Sequence, residues 1–267
     1  MIEVRRYGDG GPIAVMLHGG PGAPGGMAPL ARLLSDYVRV IEPLQRRSGQ
    51  LPLTVAQHVA DLHEVLTDVA QPVHLVGSSW GAMLALTYAA RHRDGLRQVV
   101  LIGCGTFDEL GRAEYQSRMK ARTSPEDRIR LSYLDAQLAA QSDASRRDAL
   151  FAQMGDVALA NQSHALLTTE FEQLRADEQG HYETWEDAVR LQRTGIQPAE
   201  FANIDCPVLM LHGADDPHPG PMIRDSLAPV VRILRYHEFV KCGHMPWLER
   251  HARDEFLCVL QEALVES

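Results

Sequence analysis

The sequence has no apolar run approaching the ~20 residues that a membrane-spanning helix requires, which argues against a helical membrane protein. It also lacks an excess of positive charge. The net charge of −9 at pH 7 has the wrong sign for a nucleic-acid binder or for a protein held on anionic lipid. The opening MIEVRRYGDGG lacks the apolar centre of a secretory signal, so a cytoplasmic location is expected. Cysteine is scarce: Cys104, Cys206, Cys242 and Cys258 show no CxxC spacing, which predicts free thiols rather than a disulfide framework or a zinc knuckle. Internal repeats and low-complexity tracts are missing as well. What is present, 45% hydrophobic and 23% charged residues over 267 positions, describes a globular chain sized for one large domain or two small ones.

Short apolar runs alternate with helical patterns along most of the chain. Candidate strands lie at residues 13–17, 38–41, 73–76, 99–102, 208–211 and 233–239. Most are dense in Val, Ile and Leu instead of alternating with polar residues, as parallel strands covered on both faces must be. Residues 54–70 read as a helix, with Val55, Val59, Leu62, Leu66 and Val69 on one stripe and Thr54 with Gln57 as a capping box. A second helix is expected at 80–93 and a third, opened by Pro246, at 246–266. This order implies a doubly wound, mostly parallel α/β sheet. Residues 106–200 break the alternation, showing helical patterns without a convincing strand. Ser124, Pro125, Glu126 and Asp127 form a helix start, and further helices are expected at 144–154, 157–176 and 182–194. Because both ends of this stretch feed into strands, it reads as a helical lid inserted between strands. Residues 1–105 and 201–267 then make up the core.

Gly77-Ser78-Ser79-Trp80-Gly81 lies between a strand and a helix. A serine nucleophile raised on a tight strand-to-helix turn needs this setting, with glycines where flanking side chains would not fit, and in the GxSxG frame the nucleophile is Ser79. Such a serine needs a base, and the base needs an acid to orient it. The strand at 208–211 runs into His212-Gly213-Ala214-Asp215-Asp216, and the strand at 233–239 runs into Gly243-His244. Both loops leave the same sheet edge as Ser79, so Ser79, an aspartate and His244 are expected to converge. The pair His212 and His218 lacks helical metal-ligand spacing, which weighs against a metal. After the first long strand, His18-Gly19-Gly20-Pro21-Gly22 offers backbone N–H groups for a developing oxyanion; those of Gly20 and Trp80 are the candidates. His18 is expected to brace the loop and not to act as a base.

The same loop matches GxGxxG at Gly20, Gly22 and Gly25, with Glu42 at the end of the next strand, the pattern of a dinucleotide-binding oxidoreductase. Pro21 and Pro24 remove N–H donors that a pyrophosphate would use, and that reading leaves the serine, aspartate and histidine loops without a purpose. A non-catalytic binding protein is a further alternative, although such proteins usually lose one of the three reactive residues.

At these motifs the chain resembles the α/β-hydrolase superfamily, and within it the proline iminopeptidase branch (peptidase family S33). HGGPG at residues 18–22, SWGA at 79–82 and GHMPWLE at 243–249 are similar to that branch's oxyanion loop, elbow and histidine loop. The resemblance implies an α/β-hydrolase fold with Ser79 as nucleophile, His244 as base and, by the family's G-x-x-D spacing, Asp216 as the acid. It implies no metal or organic cofactor, and a small-molecule or short-peptide substrate. Where the branch has a DQRGxGxS-like stretch, this chain carries Leu44 for the first aspartate and Arg47 for the glycine. Related lids serve esterases and lactonases, which keeps a carboxylesterase or lactone hydrolase open as the alternative to an aminopeptidase. Residues 106–200 hold 17 Asp/Glu against 11 Lys/Arg, a field suited to a substrate ammonium. Glu170 and Glu172 are the substrate-binding candidates there by position.

Overall fold

The computed structural model describes residues 2–70, 72–167 and 174–265. Seven strands form one sheet in the order β1-β3-β2-β4-β5-β6-β7. They are β1 (Val4–Tyr7), β2 (Ile13–Leu17), β3 (Arg39–Pro43), β4 (Val73–Ser78), β5 (Leu96–Ile102), β6 (Val208–Gly213) and β7 (Leu234–Phe239). Only β1 runs antiparallel to its neighbour, with Val4 opposite Pro43 and Tyr7 opposite Val40; the other pairs are parallel. β1 is the strand that sequence periodicity missed. Its short VRRY pattern carries a single aliphatic residue and sits at the sheet edge.

The apolar density of β2, β4 and β6 has its reason in two helical layers, since every residue of these strands is buried. Val15 and Leu17 face a core built with α2 (Val55–Thr67), α3 (Trp80–Arg91) and α8 (Gly220–Leu227). Ala14 and Met16 face the opposite core, built with α1 (Ala28–Leu34) and α9 (Arg253–Val265). The expected capping box holds: the Thr54 hydroxyl accepts from Gln57 N while Gln57 Oε1 accepts from Thr54 N at 2.8 Å.

Between β5 and β6 the chain forms α4 (Glu109–Arg122), α5 (Pro125–Ala140), α6 (Ala144–Gln162) and α7 (Glu178–Arg193). Ser124 caps α5 as expected, accepting from Asp127 N at 3.0 Å. Besides α7, which starts at Glu178 and not at 182, two boundaries differ from expectation. The helices expected at 144–154 and 157–176 are instead one helix that passes Gly155 and stops at Gln162. The chain leaves the helix there because its next backbone groups are captured from elsewhere. Gln162 O accepts from His244 N at 3.0 Å, and Glu249 accepts from His164 N and Ala165 N. The same glutamate interrupts the expected helix at 246–266. Pro246–Leu248 makes one 3-10 turn, Glu249 turns inward with 1% exposure, and α9 begins only at Arg253.

Candidate active site

Ser79 joins β4 to α3 with φ 55° and ψ −119°. A non-glycine residue at positive φ stores about 1–3 kcal/mol of strain, held in place by its surroundings. Those surroundings are tight. A Cβ on Gly77 would stand 2.2 Å from the Gly81 carbonyl oxygen, and one on Gly81 would stand 2.2 Å from that of Leu17. Both flanking glycines are therefore steric requirements. The Ser79 N–H donates to Ile102 O at 2.8 Å, which anchors the turn to the end of β5.

The loop after β2 lies alongside. A Cβ on Gly19 would be 3.1 Å from Ser79 Cβ, and Gly20 follows at φ 117°. His18 braces this loop. Its Nε2 accepts from Gln45 N at 3.1 Å, so Nδ1 carries the proton and donates to Gly19 O at 2.9 Å. Burial, with a smaller effect from Arg5, lowers its pKa to about 4 against the carbonyl's opposing pull, so the ring is neutral. Gln45 continues the brace, donating through Nε2 to His18 O at 2.9 Å and accepting from Trp80 Nε1 at 2.7 Å. The backbone N–H of Trp80 belongs to the first turn of α3, where helix geometry provides no intrahelical acceptor.

The loops after β6 and β7 bring Asp216 to His244. Nδ1 of His244 donates to Oδ2 of Asp216 at 2.7 Å, with 3% and 1% of these residues exposed. Burial by itself would raise the Asp216 pKa, but His244, His218 and His212 around it pull it well below the usual carboxylate range. The neighbouring Asp215 has a different partner, lying 2.9 Å from Nδ1 of the half-exposed His164. Three imidazoles surround Asp216: His218 Nδ1 is 3.0 Å from Oδ1, and His212 Nε2 is 3.3 Å from Oδ2. Nε2 of His212 also meets His218 O at 3.0 Å, bracing the turn. Donor atoms of Asp216, His218 and His244 lie within 4.8 Å of one another, close enough to suit a metal ion. Each is already matched as a hydrogen-bond donor or acceptor within this group, which accounts for the cluster by itself.

Glu170 and Glu172 lie outside the described residues. Gln45, Tyr115, Gln162, His218 and Glu249 are site neighbours that sequence reasoning did not assign. Glu249 closes the GHMPWLE motif and Gln45 lies in the stretch after β3, whereas nothing in the sequence marks Tyr115. The dinucleotide pattern finds no support in the geometry. Glu42 is fully buried, with Oε2 accepting from Arg5 Nε and Tyr7 OH, and α1 starts at Ala28, beyond Gly25. Gly22 is packed against the start of α7, its carbonyl accepting from Asp177 N at 2.8 Å.

Comparison with known proteins gives three levels of likeness. Over 266 residues the chain is 21% identical to a proline iminopeptidase of Lactobacillus delbrueckii subsp. lactis, covering 90% of this chain and 86% of that protein. It is 29% identical over 269 residues to a pimeloyl-[acyl-carrier protein] methyl ester esterase of Chromobacterium violaceum, covering 95% and 94%. Among solved structures, an esterase from Exiguobacterium antarcticum shares the fold with a TM-score of 0.64 at 19% identity, covering 100% of this chain and 96% of that one. The profile of the alpha/beta hydrolase family matches residues 14–257, nearly the whole sheet and its insertion. The chain belongs to the alpha/beta hydrolase family and is an enzyme of hydrolase type.

Proposed function

We propose that this protein is a serine hydrolase in which Ser79 is the nucleophile, His244 the general base and Asp216 the acid that orients it. The observation that carries the reading is the buried His244–Asp216 hydrogen bond of 2.7 Å, at the same sheet edge as a strained serine elbow. Ser79 Oγ attacks the carbonyl carbon of the substrate while His244 takes its proton. The N–H groups of Gly20 and Trp80 stabilise the oxyanion. His244 then gives the proton to the leaving amine or alcohol, and water repeats the sequence on the acyl-enzyme. An ionised Asp216 supports this scheme, because it holds the Nδ1–H tautomer and leaves Nε2 free to accept. Residues 106–200 act as the lid. In support, the end of α6 is bonded to the His244 loop and the start of α7 to the Gly22 loop.

On substrate, the HGGPG, SWGA and GHMPWLE motifs favour a proline iminopeptidase-like aminopeptidase or amidase acting on small substrates. One observation favours the second reading, a carboxylesterase or lactone hydrolase. An aminopeptidase needs a carboxylate free to hold a substrate ammonium. Yet among the described residues the buried acids of the insertion have protein partners: Asp148 with Arg47 and Arg175, Asp177 with Ser48, and Glu178 with Arg147. Glu170 and Glu172, outside the described residues, remain candidates for the ammonium by position. The test is labelling by a fluorophosphonate probe with Ser79→Ala as control, followed by kcat/KM for a prolyl amide, its N-acetyl form and p-nitrophenyl acetate. Loss of activity on acetylation supports the aminopeptidase. Equal turnover of both amides, with the ester faster, leaves the esterase reading.

A further inference from the structure

The carboxylate of Asp216 serves two imidazoles. Oδ2 takes the N–H of His244, while Oδ1 takes His218 Nδ1 at 3.0 Å and the His218 backbone N–H at 2.9 Å. The His218 ring also lies flat against His244, with centroids 4.5 Å apart and planes 24° apart. Tyr115 of α4 stacks on His218 with the same tilt and a centroid distance of 4.2 Å. Two rings stacked this closely on one imidazole must occupy opposite faces, so His218 is the middle of a three-ring column. Gln162, whose carbonyl holds the His244 backbone, donates through Nε2 to the Tyr115 hydroxyl at 3.2 Å. The groups facing His218 are Asp216, His212, His244 and Tyr115. Burial, then the neighbouring His244 and His212, lowers its pKa against the pull of Asp216, so it is a neutral donor. The acyl-transfer steps have no use for a second imidazole.

We propose that His218 is a positioning residue for the Asp216–His244 pair: its ring N–H holds the far carboxylate oxygen, and its ring face backs the His244 ring. The N–H fixes the carboxylate plane toward His244 and takes up part of its negative charge. The inference rests on the reading of His244 as base and Ser79 as nucleophile.

Two substitutions separate the two contacts. His218→Phe keeps a flat ring in the column and removes the ring N–H. His218→Asn keeps an N–H near the Nδ1 position and removes the ring. The readout is the second-order rate of fluorophosphonate labelling of Ser79 as a function of pH, which needs no knowledge of the substrate. With His218→Phe the acid limb moves up by about half a pH unit or more, because the undivided carboxylate charge favours the protonated base. With His218→Asn the limb stays in place and the plateau rate falls several-fold. A His218→Phe profile superimposed on the wild type, or a His218→Asn limb that moves up by about half a pH unit or more, overturns the proposal; each variant decides alone should the other not fold. Wild-type protein that is not labelled at Ser79 overturns the serine hydrolase reading itself. Labelled protein with unmoved profiles sinks only the role of His218.

Discussion

Gly103 packs its backbone against His244: a Cβ at Gly103 would stand 2.9 Å from Nδ1 of His244 and 2.7 Å from its carbonyl oxygen. The preceding residue, Ile102, accepts the Ser79 N–H. One strand end therefore spaces the serine turn from the histidine loop. Gly103 also sits at φ 54°, where a side chain adds about 1–2 kcal/mol of backbone strain. Gly103→Ala should lower kcat/KM by about 100-fold, the scale of a 1 Å displacement at a reacting group, while circular dichroism retains the native spectrum.

Asp216→Asn should preserve the fold and lower kcat by about 10⁴-fold, as a neutral side chain no longer selects the tautomer of His244. Asp215→Asn removes only the pairing with His164, which is 34% exposed, and should cost less than about 10-fold. Steady-state kinetics on both variants decides between the adjacent acids. The larger loss at Asp215 would mean that the Asp216–His244 bond is not the working one.

Glu249 is buried and accepts three backbone N–H groups, from Gly243 at 3.0 Å, His164 at 2.8 Å and Ala165 at 2.7 Å. It thereby ties the His244 loop to the segment leaving α6. Glu249→Gln retains one acceptor oxygen and loses the charge. A stability loss of about 2–4 kcal/mol is expected, seen as a fall of several degrees in Tm with unchanged far-ultraviolet dichroism.

Acid should destabilise the protein early. Burial lowers the pKa of His18, His58 and His74 to about 4, with Arg97 adding to the effect at His74. In the unfolded chain these groups titrate near 6.5, so between about pH 6.5 and 4 the unfolded state binds more protons. Their contribution is complete above that window and is lost as pH falls through it, at about 1.4 kcal/mol per pH unit for each histidine. Thermal melts from pH 8 to 4.5 should show Tm falling below pH 6.5. His74→Leu should flatten that slope without affecting Ser79 labelling, and a slope unchanged by the substitution would remove His74 from the account.

Much of this architecture is legible along the chain, because its causes are local. Gly77, Ser79 and Gly81 announce a turn too tight for side chains, and the contacts of 2.2 Å that a Cβ would make are the steric fact behind the motif. Thr54 with Gln57, and Ser124 with Pro125, mark helix starts through bonds that span three residues. The apolar runs of β2 and of residues 208–211 in β6 declare strands buried on both faces.

Tertiary structure alone decides where distant groups compete for the backbone. The end of α6 at Gln162 follows from His244 and Glu249 taking up backbone groups of residues 162–165, and the break between Pro246 and Arg253 from Leu248 O and Arg250 N pairing with Leu167 and Ala165. Helix propensity has no access to that competition. The same holds at Asp216. The family resemblance implies it as the acid, but only the folded loops set its second oxygen against His218 and stack that ring between Tyr115 and His244. Sequence determined the parts whose physics lies within a few residues: the elbow, the caps and the buried strands. Folding determined the partners of Asp216, because a carboxylate in a low-dielectric interior takes whichever donors packing brings to it.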